Sequence, residues 1–168
     1  MKIPSVILVP TDFGPPSAAA LDYAVELAKR FDAREVVLLH AYQIPIVSFP
    51  DGALVATAEM TSGIVDAATK ELDKLASQVA DADIPVRPLL REGDPADTID
   101  KVAEQVGADL VVMGTRGRHG LARVLLGSVT EKVVRTSKIP VLTVHGNLEV
   151  SPHSTAPKHD PAPSSRAH

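Results

Sequence analysis

The sequence predicts an α/β domain whose core is a sheet of five parallel strands with helices on both faces. Short apolar runs rich in Val, Ile and Leu alternate with stretches whose apolar residues recur every three or four positions. The links between them are short, as in chains of βαβ units. Late in the chain, Gly114, Gly117 and Gly127 lie between one such run and the next helix start. That is where α/β proteins hold phosphate groups.

The first strand covers about residues 5–9 and runs into Pro10. Thr11-Asp12-Phe13-Gly14-Pro15-Pro16-Ser17 follows as a turn with helix-start chemistry. A helix from Pro16 to Phe31 then puts Ala18, Leu21, Val25 and Ala28 on one stripe. Residues 35–42 form the second strand. Residues 43–58, broken by Pro45, Pro50 and Gly52, read as irregular. The spacing of Met60, Ile64, Ala68, Leu72, Leu75 and Val79 predicts one long helix over 56–80.

The third strand, 85–91, contains Pro88, which suits a sheet edge because proline donates no ladder bond. Gly93-Asp94-Pro95 opens a helix with Ile99, Val102 and Val106 inside, and Gly107 ends it. The fourth strand is 109–114, a helix begins near Gly127-Ser128, and the fifth strand is 140–145. Residues 1–146 therefore read as one domain. Residues 147–168 hold four Pro, four Ser and three His, with only Leu148 and Val150 as sizeable apolar residues. Such a tail buries too little to offset its ordering entropy and is expected to be disordered.

Composition narrows the function. Hydrophobic residues make up 45% and charged residues 23%, as in ordinary globular domains, and aromatics at 3% leave the core to Val, Leu, Ile and Ala. The chain has no Cys, which excludes disulfides, thiolate metal sites and a cysteine nucleophile. A net charge of −4 argues against a general nucleic-acid binder. No secretory leader pattern and no membrane-length apolar run are visible, so a cytoplasmic protein without a membrane partner is expected.

The spacing around the glycines says more than the glycines do. Gly114, two residues, Gly117, nine residues, Gly127 and Ser128 reproduce the pattern G-x2-G-x9-G-[ST]. Together with Val9–Phe13 (VPTDF) and Leu125–Val134 (LLGSVTEKVV), it makes the chain resemble the ATP-binding universal stress proteins over about residues 1–146. The resemblance implies a strand order of 3-2-1-4-5, with a crevice between strands one and four. It also implies that backbone N–H groups of Gly117, Gly127, Ser128, Val129 and Thr130, with the Ser128 hydroxyl, hold the phosphates of ATP.

In that scheme Mg2+ or Mn2+ sits on the phosphates near Ser128, which otherwise caps the helix. Pro10, Thr11 and Asp12 approach the adenosine end, and the backbone of Ala41 contacts adenine. A homodimer forms through the last strand, about Pro140–His145. Some residues carry two readings. Asp12 is also a natural helix-capping residue, and Gly114 an ordinary turn glycine. Met113 and Val129 face the core or graze the nucleotide. Arg116, Arg118, His119 and Arg123 either steer phosphate or form a solvated loop, and His40 reads as packing at a strand end.

Absent patterns matter too. There is no G-x4-G-K-[ST] and no G-x-G-x-x-G after the first strand. No carboxylate lies between Gly114 and Thr130, and hydrolysis needs something to orient the attacking water. A nucleotide-responsive stress or regulatory protein is therefore expected, with a slow ATP-hydrolysing or nucleotide-transfer enzyme, or an AMP or cyclic AMP binder, as alternatives.

Overall fold

In the computed structural model, the described residues are 3–44, 46–49, 52–55, 57–79, 83–115 and 126–145. Five strands make one parallel sheet: β1 (Val6–Pro10), β2 (Glu35–Tyr42), β5 (Val86–Glu92), β6 (Leu110–Gly114) and β7 (Val141–Val144). Their order is β5-β2-β1-β6-β7, which is the expected 3-2-1-4-5 when these five alone are numbered. From β1 the chain builds outward one way to β2 and β5, then crosses to β6 and β7. The reversal leaves a crevice beyond the carboxyl ends of β1 and β6.

The three central strands, β1, β2 and β6, are buried on both sides, and the period of two sorts their residues. Ile7, Val9, Val36, Leu38, Val112 and Val144 pack with helices α1 (Pro15–Phe31) and α2 (Ala58–Gln78). Val6, Leu8, Val37, Leu39, Val111 and Met113 face the opposite layer, where α3 (Pro95–Val106) brings Ile99 and Val102 and α4 (Ser128–Thr136) brings Val133. Each fully buried aliphatic side chain contributes about 1.5–3 kcal/mol relative to exposure. The sheet is anchored at its start by Asp109, whose Oδ2 accepts from the N–H groups of Ser5 (2.9 Å) and Val6 (3.2 Å).

Pro88 does lie on an edge strand, β5. Gly107 ends α3 in the left-handed region at φ 65°, a conformation that glycine takes without strain. Ala108 N–H then reaches Ala103 O at 2.9 Å.

Three details differ from the sequence reading. Residues 46–49 and 52–55 are not irregular. They form an antiparallel hairpin, β3 (Ile46–Phe49) and β4 (Gly52–Val55), outside the main sheet. The buried stripe of α1 is Ser17, Ala20, Leu21, Ala24, Val25 and Ala28, with Ala18 only half-buried. Leu21, Val25 and Ala28 are buried as expected, and Ser17, whose hydroxyl bonds to Asp12 Oδ1 and Gly14 O, takes the inward place expected of Ala18. In α2 only Ala68 and Leu72 are buried, with Leu75 and Val79 packed beside them, while Met60 is 57% exposed. The helix keeps its apolar period along its length, but only its carboxyl-terminal half reaches the sheet. The tail from 146 onward lies outside the described residues.

Candidate functional site

Two chain segments meet at the crevice. The first is the turn after β1. Thr11 continues the ladder by donating its N–H to Leu39 O at 2.8 Å. Its hydroxyl accepts from Phe13 N–H at 3.0 Å and lies 3.1 Å from Ser17 Oγ. The Asp12 carboxylate accepts from Gly14 N–H at 3.0 Å and from Ser17 Oγ at 2.9 Å. Gly14, not Asp12, occupies the cap position of α1, and no side chain bonds that cap. Asp12 therefore closes the turn before the helix and does not cap the helix itself. Pro10, the last residue of β1, and Ala41, late in β2, are both half-buried.

The second segment follows β6. Thr115 is buried, and its N–H donates to Val144 O at 3.0 Å. Its carbonyl accepts from Gly127 N–H at 2.7 Å. The chain thus leaves the sheet at Thr115 and is stitched back to the same residue twelve positions later, where α4 starts. Arg116 and Gly117, with Arg118, His119 and Arg123, lie outside the described residues.

Gly127 is the cap residue of α4, with φ −71° and ψ 156°, and among the described residues no side chain caps the helix end. This corrects the expected role of Ser128, which is the first helical residue and is exposed. A side-chain cap must sit one position earlier, outside the helix, so Ser128 cannot close the end. The first intrahelical bond runs from Glu131 N–H to Gly127 O at 2.8 Å. The N–H groups of Ser128, Val129 and Thr130 precede it and point out of the helix end. The helix dipole adds a partial positive charge there.

Two residues tie this end to the sheet. Thr130 is buried, and its hydroxyl donates to Gly114 O at 2.9 Å, leaving its backbone N–H at the helix mouth. Val129 packs with the α3 and α4 layer, and so does Met113, at 4% exposure. Met113 is thus a buried core residue, and Val129 packs half-buried against that core. Gly114 is a close-approach glycine: a Cβ there would stand 2.7 Å from the Pro16 carbonyl carbon and 2.9 Å from Pro16 Cβ. Its lack of a side chain lets the start of α1 lie against the end of β6, which brings the two segments together.

One residue of the crevice was undervalued in sequence. His40 on β2 lies 2.8 Å, through Nδ1, from Thr11 O, and its ring centroid is 4.3 Å from that of Phe13. Its place at a strand end was readable; its partners, twenty-nine and twenty-seven positions away, were not.

Fold and site together define a doubly wound α/β domain with an uncapped helix start aimed at its crevice, a class suited to anionic ligands. The universal stress protein family model matches residues 5–145. The chain is 37% identical to universal stress protein MJ0531 of Methanocaldococcus jannaschii, over 82% of this chain and 80% of that one. It is 33% identical to universal stress protein YxiE of Bacillus subtilis, over 82% and 97%. The solved structure of universal stress protein UspA from Lactobacillus plantarum superposes with a TM-score of 0.71 at 27% identity, covering 83% of this chain and 97% of that one. Similar in fold is a universal stress protein solved in complex with cAMP, with a TM-score of 0.63, 28% identity, and coverage of 86% and 99%. The chain belongs to the universal stress protein family.

Proposed function

We propose that this protein binds an adenine nucleotide, ATP with Mg2+ or Mn2+, and acts as a nucleotide-responsive regulatory protein of the stress response. The observation that carries the reading is the open amino end of α4: Gly127 caps it with no side chain, and Ser128 stands exposed beside it. The phosphates lie against the N–H groups of Ser128, Val129 and Thr130, completed by Gly117 and offset in charge by Arg116. The metal rides on the phosphates, near the Ser128 hydroxyl. Among the described residues no group of three or more His, Cys, Asp or Glu side chains could hold it alone. The adenosine end lies toward Pro10, Thr11, Asp12 and the backbone of Ala41. A relative in this family was solved with cAMP, which supports an adenine ligand and keeps AMP and cyclic AMP as the second reading.

The protein works as a cytoplasmic homodimer through β7. This edge strand leaves Val141, Leu142 and Thr143 only half-buried, so a second copy would cover them. Calorimetric titration with ATP, AMP and cyclic AMP, with and without Mg2+, tests the ligand. Binding of ATP in the presence of Mg2+ is the expected result, and no binding of any of the three rejects the reading. Steady turnover of ATP well above background, lost on changing Ser128 or Asp12, would favour an enzyme instead.

A further inference from the structure

His40 belongs to the face of β2 that carries Val36 and Leu38 toward α1 and α2, since alternate residues of a strand share a side. Its ring lies against the turn after β1. The Thr11 carbonyl can only accept, so the His40 nitrogen 2.8 Å from it is the protonated one, and Nε2 carries the lone pair of the neutral ring. Beside it Phe13 has φ 63°, a left-handed conformation that a bulky residue keeps only when its surroundings hold it.

Three holds are visible on this turn. The Phe13 N–H is bonded to Thr11 Oγ1, the Phe13 ring packs on His40, and the Asp12 carboxylate is bonded to Gly14 N–H and Ser17 Oγ. The first depends on where Thr11 sits and the second on the His40 ring itself, and His40 also fixes the Thr11 carbonyl.

We propose that His40 is a positioning residue that shapes the Thr11–Asp12–Phe13 turn by donating to the Thr11 carbonyl, and so sets affinity for the adenosine end of the ligand. The ligand part rests on the nucleotide reading above; the hold on the turn does not. His40→Phe keeps a ring against Phe13 but removes the donor. His40→Asn keeps a donor at the place of Nδ1 but removes the ring.

The test compares wild type with these two variants, after checking that each unfolds cooperatively. Amide hydrogen exchange at Phe13 and Gly14 is read without ligand, and calorimetry is run with ATP and with inorganic tripolyphosphate. In His40→Phe, exchange at both amides should quicken about tenfold and ATP should bind about tenfold more weakly, while tripolyphosphate binding changes less than about twofold. His40→Asn should stay within about threefold of wild type in every readout. Unchanged exchange in His40→Phe overturns the proposal, as does equal weakening for both ligands. A wild type that binds neither ligand, with the exchange pattern intact, refutes the nucleotide reading and leaves the hold of His40 on the turn standing.

Discussion

Helices α3 and α4 both begin at the carboxyl end of the sheet and lie side by side, yet their amino ends are built in opposite ways. At α3, Asp94 caps the helix by accepting from Asp97 N–H at 3.2 Å, and Pro95 fills the first turn without a donor to satisfy. Lys132 of α4 reaches across to Asp94 at 3.2 Å and Asp97 at 2.7 Å. At α4, the cap is Gly127, no side chain among the described residues bonds the end, and Glu131 is turned toward Arg135 at 3.9 Å. One helix end is satisfied by its own sequence. The other has no side-chain cap among the described residues, and under the proposed function its backbone donors meet the phosphates, so that the same kind of helix would serve as scaffold in one case and as receptor in the other.

The strongest way to break this contrast is to give α4 the cap that α3 has. Gly127 lies at φ −71°, which any residue can adopt. Gly127→Asp should therefore leave stability unchanged or raise it by a few tenths of a kcal/mol. The carboxylate should then occupy the anion position and weaken ATP binding about 100-fold, roughly 2.7 kcal/mol. Calorimetry alongside urea unfolding reads both effects. Retained affinity would place the phosphate site elsewhere.

A smaller effect is expected beneath the open end. Gly114→Ala would place a methyl group 2.7 Å from the Pro16 backbone, so α1 must shift. Overpacking of that kind costs about 1–3 kcal/mol in urea unfolding. ATP affinity should fall with it, because the two segments of the crevice separate.

Opening the closed end is gentler. Asp94→Ala should lower stability by about 0.5–2 kcal/mol, the usual worth of a lost cap, and leave ATP affinity unchanged. If affinity fell as far as with Gly127→Asp, the two ends would not be independent.

The smallest effect is in the acid range. The bond from Asp97 N–H, and then the Lys132 ammonium, hold the Asp94 carboxyl below its ordinary value of 3.8. A carboxylate with a depressed folded value stabilises the protein above pH 3.8 and loses that contribution as pH falls through the lowered value. Asp94→Asn, still able to cap but uncharged, should flatten that part of the acid unfolding profile. An unchanged profile would mean that Lys132 and the helix end contribute nothing measurable through this group.

Much of this contrast was legible in the sequence. Gly93-Asp94-Pro95 announced one helix start and Gly127-Ser128 the other, because helix starts are local chemistry. What sequence placed wrongly was the assignment within the second pair: Ser128 looked like the cap, whereas the boundary falls one residue earlier. The hairpin at 46–55 was hidden because Pro45, Pro50 and Gly52 interrupt the alternation that would mark its strands. Gly114 read as a turn or phosphate glycine. Its steric role depends on Pro16, ninety-eight positions earlier in the chain, and no local pattern records such an approach.

By itself the sequence determined the alternation of strands and helices, the edge position of the strand with Pro88, the glycine that stops α3, and the motif that marks the family. These depend on residues near one another in the chain, where backbone propensity, side-chain period and capping act. Only the tertiary structure decided which glycine makes room for a neighbour, that Met113 belongs to the core with Val129 packed against it, and that His40 grips the turn after β1. Each of those is a contact between segments far apart in sequence, and it exists only once the sheet has brought β1, β2 and β6 into register.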